Sequence, residues 1–158
     1  MQVITMKGRE SGMPEKEMWE QFFNPAEVLK TFGLNEKIND AAEFGCGYGT
    51  FTIPAAKAVK GTVYAIDIEK EMTVLTARAA EKHNVHNIKT ILRDFMAEGT
   101  GLNDESVDYV MLFNILHIDH PEILLKESCR ILRPQGKLGV IHWNYDPTTP
   151  RGPSMSIR

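Results

Sequence analysis

The chain has 158 residues, of which 42% are hydrophobic and 25% are charged, a size and composition typical of one globular domain with a proper core. Lysine and arginine number 18 against 21 aspartate and glutamate residues, for a net charge of −3, and basic residues form no cluster. Because nucleic-acid binding depends on neutralising phosphates, this balance argues against DNA or RNA as the main partner.

The sequence also argues against membrane insertion and secretion. The longest uncharged apolar stretch, Tyr109 to Ile118, is too short to cross a bilayer, and the N-terminus lacks the basic start and apolar core of a signal peptide. Two cysteines, Cys46 and Cys129, are too few for a disulfide framework or a four-cysteine metal site. We therefore expect a reduced, cytoplasmic protein without a metal ion, with Cys129 in the core.

The first 36 residues are predicted to form a helical flap ahead of the main domain, residues 37–158. Pro14 to Phe23 carries aromatic residues at helical spacing. Asn24 is expected to cap a second helix, with a proline in its first turn and Glu27 completing a capping box, and this helix is expected to end near Gly33. Whether the flap only packs on the core or also covers a cofactor stays open.

From residue 38 onward, strand and helix patterns alternate. The predicted strands are Asn39–Phe44, Thr62–Asp67, Ile88–Leu92, Val107–Phe113 and Lys137–Trp143. The predicted helices are Phe51–Lys60, Lys70–Asn84 and Pro121–Leu132. Alternating strands and helices form parallel sheets through right-handed crossovers, and strands rich in Val, Ile and Leu are buried on both faces. The predicted fold is therefore α/β, a doubly wound, mostly parallel sheet.

A glycine-rich turn follows the first predicted strand. It consists of Gly45, Cys46, Gly47, Tyr48 and Gly49. Glycines permit positive φ angles and close approach of a ligand, and ligands of such sheets bind beyond the carboxyl ends of the strands. The dinucleotide fingerprint needs a third glycine where this chain has Thr50, which disfavours a nicotinamide-dependent oxidoreductase. Glu43, two residues before the turn, suits a ligand that carries an ammonium group.

Two more acids end the next two predicted strands. Asp67 lies 22 positions after Gly45, where a carboxylate accepts the hydroxyls of a ribose; capping of the next helix is the alternative. Asp94 would lie beside Asp67 and accept from an adenine amino group, with Phe95 beside the ring, although Asp94 could instead form a turn. Such groups at successive strand ends indicate an adenosine site.

Two further stretches complete a known pattern. Asn114-Ile-Leu-His117 ends the fourth predicted strand, and Arg130 to Leu138 leads from a helix into the fifth. With the glycine turn and the acids, these stretches resemble a class I S-adenosylmethionine-dependent methyltransferase from Ile38 to Trp143. The resemblance implies a Rossmann-like methyltransferase fold and S-adenosylmethionine as the cofactor.

The same resemblance implies roles for individual residues. Glu43 and the backbone of Gly45 and Gly47 would hold the methionine part of the cofactor. Ile68 and Met72 would flank the adenine, although both could equally be core residues. The full set of implied cofactor-binding residues is Glu43, Gly45, Cys46, Gly47, Tyr48, Gly49, Asp67, Ile68, Met72, Asp94, Phe95 and Asn114.

Methyl transfer in this family is an in-line displacement at the activated methyl carbon, and a general base is needed only when the acceptor loses a proton. Asn114 would border the transferring methyl group. His117, three residues later, is the best candidate for a catalytic base or a substrate contact, whereas His142 is read as a satisfied histidine. Asp119 is predicted to cap the last helix, with Glu122 as its capping-box partner.

The acceptor is predicted to be a small molecule, including a quinone-like or lipid-like one. The Pro-Pro-aromatic sequence of enzymes that methylate nucleic-acid bases does not follow Asn114, and the thiols are too few for arsenite. Two alternatives stay open beside an active methyltransferase. One is a cofactor-binding module that works with a partner subunit, and the other is the disfavoured oxidoreductase.

Members of this family usually continue beyond the fifth strand with a helix and an antiparallel strand pair. Only 15 residues follow Trp143 here, and three of them are prolines, so we expect that strand pair to be missing. The edge of the fifth strand, Leu138–Ile141, would then be open to pairing with a second copy of the chain as a homodimer.

Overall fold

A computed structural model describes residues 16–17 and 24–144, and the structural statements that follow refer to these residues. Most of the predicted helix Pro14–Phe23 and the segment in which the C-terminal strand pair is expected to be missing lie outside the described residues. The remaining predicted elements can all be compared with the structure.

Five strands alternate with five helices between residues 24 and 144. The strands are β1 (Ala41–Phe44), β2 (Val63–Asp67), β3 (Ile88–Leu92), β4 (Val107–Phe113) and β5 (Leu132–Ile141). The helices are α1 (Pro25–Thr31), α2 (Thr52–Ala58), α3 (Lys70–Lys82), α4 (Phe95–Glu98) and α5 (Glu122–Ile131). Each predicted strand is present, and the short α4 is an element that the sequence pattern did not indicate.

The strands form one parallel sheet in the order β3-β2-β1-β4-β5. The chain moves outward from β1 through β2 to β3 and then returns to the other side of β1, so the strand order reverses between β1 and β4. This arrangement confirms the predicted doubly wound α/β fold. It also opens a crevice at the carboxyl ends of β1 and β4, where ligands of such sheets bind.

The sheet separates two hydrophobic core clusters, as the alternation along β4 illustrates. Tyr109, Met111 and Phe113 belong to the cluster that also contains buried residues of α1, α2 and α3. Val110 and Leu112 belong to the cluster that contains buried residues of α4 and α5. Because side chains alternate between the faces of a strand, β4 is buried on both sides from Tyr109 to Phe113.

The start and end of α1 agree with the predicted cap at Asn24 and the predicted end near Gly33, while the capping-box contact of the Glu27 side chain stays a prediction. The Asn24 side chain accepts a hydrogen bond from the Glu27 backbone N–H at 3.4 Å, which makes Asn24 the N-cap. The helix ends at Thr31, and Gly33 follows with a φ of 77°. Leu29 is buried in the core and fixes α1 against the sheet.

The predicted cap of the last helix is wrong. The N-cap of α5 is Pro121, which has no side-chain hydrogen bond to the helix, and Asp119 lies exposed ahead of it. Between them, His120 adopts a left-handed φ of 58°, which turns the chain so that the helix begins after the proline. Glu122 contacts the His120 ring at 3.1 Å and completes no capping box with Asp119.

Cys129 is exposed, so its predicted place in the core is also wrong. The buried residues of α5 are Leu124, Ser128 and Ile131, which recur at helical spacing on one face. Cys129 follows Ser128 directly and therefore lies on the outer side of the helix.

The last strand begins earlier than predicted, at Leu132, because α5 runs directly into β5 and the pairing with β4 is irregular between Val107 and Tyr109. It ends at Ile141, two residues before Trp143. Among residues 24–144, no strand pairs with the outer edge of β5. No described helix is long and apolar enough to span a membrane.

Candidate cofactor-binding site

The glycine turn lies between β1 and α2. Two of its positions need glycine, because a side chain at each would come too close to a different neighbour. A Cβ at Gly45 would lie 2.8 Å from the Ile115 side chain, and one at Gly49 would lie 3.3 Å from Oγ1 of Thr76. Both glycines have positive φ, at 75° and 80°. The turn is thus held closely between the loop after β4 and helix α3.

The backbone amides of the turn are already hydrogen-bonded within the protein. Gly45 N–H and Cys46 N–H both donate to the Ile66 carbonyl, at 2.8 and 3.1 Å. Gly47 N–H donates to Oδ2 of Asp67 at 3.0 Å. A phosphate-binding loop directs free amides at its ligand. These three amides are not free, which supports the sequence argument against a dinucleotide.

Two buried acids border the turn. Glu43 is 3% exposed and Asp67 is 6% exposed. Burial raises the pKa of Glu43 to about 8; the nearby Asp67 adds to this rise, and a hydrogen bond from Thr52 opposes it. Burial also raises the pKa of Asp67, against the backbone hydrogen bonds that it accepts. Such a site favours a ligand that brings a cation and hydroxyl donors.

Asp67 lies at the end of β2, and its carboxylate is hydrogen-bonded within the protein. Oδ1 accepts from Glu69 N–H and Oδ2 accepts from Gly47 N–H, each at 3.0 Å, and the Ile68 backbone and the Cys46 thiol also donate to it. A carboxylate offers about four lone-pair positions, so ribose hydroxyls would share these positions or replace the contact with the thiol. The N-cap of α3 is Glu69, without a side-chain cap, so Asp67 does not have the helix-capping role that was the alternative.

Asp94 and Phe95 have clear structural roles at the end of β3. Oδ1 of Asp94 accepts from the Met96 and Ala97 amides, both at 3.1 Å, and thereby caps α4. The Phe95 ring is buried against the Phe44 ring, with centroids 5.4 Å apart. The turn-forming alternative for Asp94 is therefore present, and the adenine contacts of both residues stay predictions.

The remaining residues predicted near the cofactor lie around the same turn. Ile68 is half-buried after β2, and Met72 is buried in the first turns of α3. Tyr48 and Gly49 line a cleft of about 470 Å³ that Pro25, at the start of α1, also lines. The start of α1 therefore lies next to the glycine turn, while the role of the N-terminal segment as a flap or lid stays a prediction.

Two polar atoms without partners lie in the loop that follows β4. Nδ2 of Asn114 and Nδ1 of His117 are buried and have no hydrogen-bond partner among the described residues. Asn114 has a φ of 56°, and its N–H donates to the Ile141 carbonyl at 2.7 Å, which joins the ends of β4 and β5. A buried polar atom without a partner costs about 1–3 kcal/mol. These two atoms are therefore candidates for ligand contact.

His117 has the electrostatic character of a neutral imidazole. Its pKa is lowered by burial and then by the neighbouring His142 at the end of β5. A histidine with a pKa below its ordinary value is uncharged at neutral pH and can accept a proton. This is consistent with the base predicted from the sequence, although that role itself stays a prediction.

Sequence reasoning missed two threonines that support the turn, Thr52 and Thr76, both fully buried. Thr52 begins α2, and its hydroxyl donates to Oε2 of Glu43 at 2.5 Å. Thr76, on α3, donates to the Gly47 carbonyl at 2.9 Å and lies 3.5 Å from the Cys46 sulfur. A hydroxyl residue among the predicted buried positions of each helix was the available signal.

Cys46 is unsuited to act as a nucleophile. Burial raises the pKa of its thiol, and the charges of Asp67 and Glu43 raise it further. Because the thiolate is the reactive form, this thiol is inert at neutral pH. Its contribution to the turn is a small side chain that packs between the two acids.

The sheet, its strand reversal and a glycine turn between two buried acids define a doubly wound α/β protein with a binding site for a nucleoside cofactor. Residues 41–136 match the family model described as a methyltransferase domain, and the chain belongs to this family.

Known proteins similar to this chain include enzymes of that family. A demethylmenaquinone methyltransferase of Lactobacillus johnsonii is 31% identical over 74% of this chain and 49% of its own length. The crystal structure of a SAM dependent methyltransferase from Aquifex aeolicus has a TM-score of 0.79 and 28% identity, covering 91% of this chain and 76% of that one. The chain spans about half the length of the curated relatives it matches.

A further structural neighbour shows that the fold alone does not define the reaction. The [4+2]-cyclase SpnF superimposes with a TM-score of 0.66 at 21% identity, over 84% of this chain and 47% of that one. Since one fold hosts different chemistries, function has to be argued from the site.

Proposed function

We propose that this chain is an S-adenosylmethionine-dependent methyltransferase domain that acts on a small-molecule acceptor. The observation that carries the proposal is the pair of buried acids, Glu43 and Asp67, beside a turn whose amides are internally hydrogen-bonded. A ligand with an ammonium group and ribose hydroxyls, without a pyrophosphate, matches this set of acceptors.

When bound, S-adenosylmethionine supplies a methyl group on a sulfonium centre, which leaves as a neutral thioether. The protein's task is to orient the reactants and exclude water. Glu43 would receive the ammonium group and Asp67 the ribose hydroxyls. Ile68 and Met72 would flank the adenine, and Asn114 would border the reacting end of the site.

We propose that the acceptor is a small molecule that loses a proton as it is methylated, and that His117 takes this proton. The lowered pKa of His117 and its unpartnered Nδ1 support this role. The relatives named demethylmenaquinone methyltransferases act, by their name, on a quinone-type compound. A hydroxylated, quinol-like aromatic acceptor is accordingly the first class to test.

Two measurements test the proposed function. Calorimetric titration should show binding of S-adenosylmethionine and no binding of reduced nicotinamide cofactors. Formation of S-adenosylhomocysteine should then be followed by mass spectrometry with quinols, phenols and amines as acceptors. Binding of a nicotinamide cofactor in place of S-adenosylmethionine would refute the proposal, and turnover only with amines would refute the quinol-like class.

The outer edge of β5 favours a second candidate function, a cofactor-binding module completed by another chain. No described strand pairs with this edge, and unpaired edges are templates for strand addition. A second copy of this chain is the simplest partner. This candidate predicts cofactor binding by the monomer, with turnover only at protein concentrations at which the second copy is bound.

A further inference from the structure

Glu43 and Thr52 form a buried pair across the glycine turn. Glu43 lies on β1, in register with Ala65 of β2 and Met111 of β4, so its neighbours along the sheet are apolar. Thr52 begins α2 and is fully buried, and its hydroxyl donates to Oε2 of Glu43 at 2.5 Å. Thr52 therefore supplies the carboxyl group with a buried hydrogen-bond donor.

Burial and the neighbouring groups of Glu43 disfavour its ionised form in the free protein. The titratable groups that face it are Asp67 at the end of β2 and Cys46 in the turn. Neither of them supplies a positive charge. Burial and Asp67 together raise the pKa of Glu43 to about 8, and Thr52 acts in the opposite direction. At neutral pH the free protein thus keeps a proton on this acid.

We propose that Thr52 is a positioning residue for the cofactor: its hydroxyl orients the Glu43 carboxyl and favours the carboxylate that receives the ammonium group of S-adenosylmethionine. The inference rests on the proposed function. In the binding step, the proton leaves the Glu43 carboxyl for the solvent, the ammonium keeps its own protons, and no covalent bond of the cofactor changes. Binding of the cofactor therefore releases a proton.

The first experiment counts that proton on the unmodified protein. Calorimetric titrations at pH 7 in phosphate and in Tris, two buffers with different ionisation enthalpies, should show release of about 0.5–0.9 proton per S-adenosylmethionine bound. The control ligand is 5′-methylthioadenosine, which lacks the amino-acid part, and it should release close to none. Equal proton counts for the two ligands would overturn the inference.

The second experiment tests whether Thr52 acts through its hydroxyl group or only through the shape of its side chain. Thr52→Val removes the donor at nearly constant volume and should weaken S-adenosylmethionine binding about tenfold at pH 7. It should also move the acid limb of the affinity–pH profile to higher pH. Thr52→Ser keeps the donor and should restore both properties, and binding of 5′-methylthioadenosine should stay within about twofold in both variants.

The outcomes distinguish this inference from the proposed function. If the unmodified protein binds S-adenosylmethionine and Thr52→Val leaves both affinity and its pH profile unchanged, the role of Thr52 is refuted while the proposed function stands. If the unmodified protein fails to bind S-adenosylmethionine, both are refuted together. The proton count needs no variant and tests the contact between Glu43 and the ammonium group, while Thr52→Ala serves as the second variant without a donor if Thr52→Val does not fold.

Discussion

The buried carboxyl of Glu43 is expected to lower the stability of the free protein as pH rises, although the proposed function needs this group for cofactor binding. In the unfolded chain this acid ionises near its ordinary pKa of 4.5, whereas in the folded protein burial raises the pKa to about 8. As pH rises between these values, the unfolded chain loses its proton first, so the free energy of unfolding falls.

Glu43→Gln should remove that dependence, because glutamine does not titrate and still accepts from Thr52. Urea denaturation of the cofactor-free protein should show the variant to be about 1–3 kcal/mol more stable than the parent at pH 8, with a smaller difference at pH 5. The same variant should bind S-adenosylmethionine more weakly. An identical stability difference at both pH values would contradict the buried, protonated state of Glu43.

Asp67 is expected to contribute mainly to binding. Asp67→Ala should weaken S-adenosylmethionine binding by about 1–3 kcal/mol, the usual cost of leaving buried polar groups without partners. Glu81→Ala, which removes an exposed acid near the end of α3 that is remote from the turn, is the control and should bind normally. Unchanged calorimetric affinity for Asp67→Ala would remove the ribose assignment.

The glycine turn and α3 fit together closely, and two glycines with similar backbone angles allow this fit to be tested. Gly33 and Gly49 have φ angles of 77° and 80°. A Cβ at Gly33 would come no closer than 3.6 Å to the flexible end of Lys137, whereas at Gly49 it would lie 3.3 Å from Oγ1 and 3.5 Å from Cα of Thr76.

Gly33→Ala should therefore cost only the backbone strain of about 1 kcal/mol. Gly49→Ala should cost more in thermal or urea denaturation, because α3 must also shift, and it should weaken cofactor binding. Equal destabilisation by the two substitutions would show that the close packing of α3 against Gly49 adds nothing to the free-energy cost of a Cβ there.

The strands after β1 and the longer helices were predictable because short runs rich in Val, Ile and Leu alternate with stretches of helical spacing. β3 and β4 have the predicted bounds. The short α4 was not predictable from periodicity, since four residues contain about one helical turn; it depends on Asp94, whose side chain satisfies two amides. The cap of α5 was mispredicted because a left-handed His120 leaves no signal in the sequence.

The site was predictable to the extent that its residues end strands. Parallel strands bring their carboxyl ends to one edge, so Glu43 and Asp67 could be placed together from the sequence alone. The partners Thr52 and Thr76 could not, because their contacts depend on how α2 and α3 pack against the turn. Likewise, only the structure shows that the amides of Gly45, Cys46 and Gly47 are occupied, which supports the distinction from a phosphate loop that Thr50 already indicates.

The edge of β5 leads to a prediction for the assembled protein. We expect a homodimer in which a second copy adds to the strand edge at Leu138–Ile141, because no strand within residues 24–144 pairs with that edge. Light scattering should give about twice the 17.8 kDa mass of one chain, and the thermal midpoint should rise with protein concentration, since association stabilises the folded state. A mass of one chain at every concentration, with a constant midpoint, would show that strand addition by a second copy does not occur.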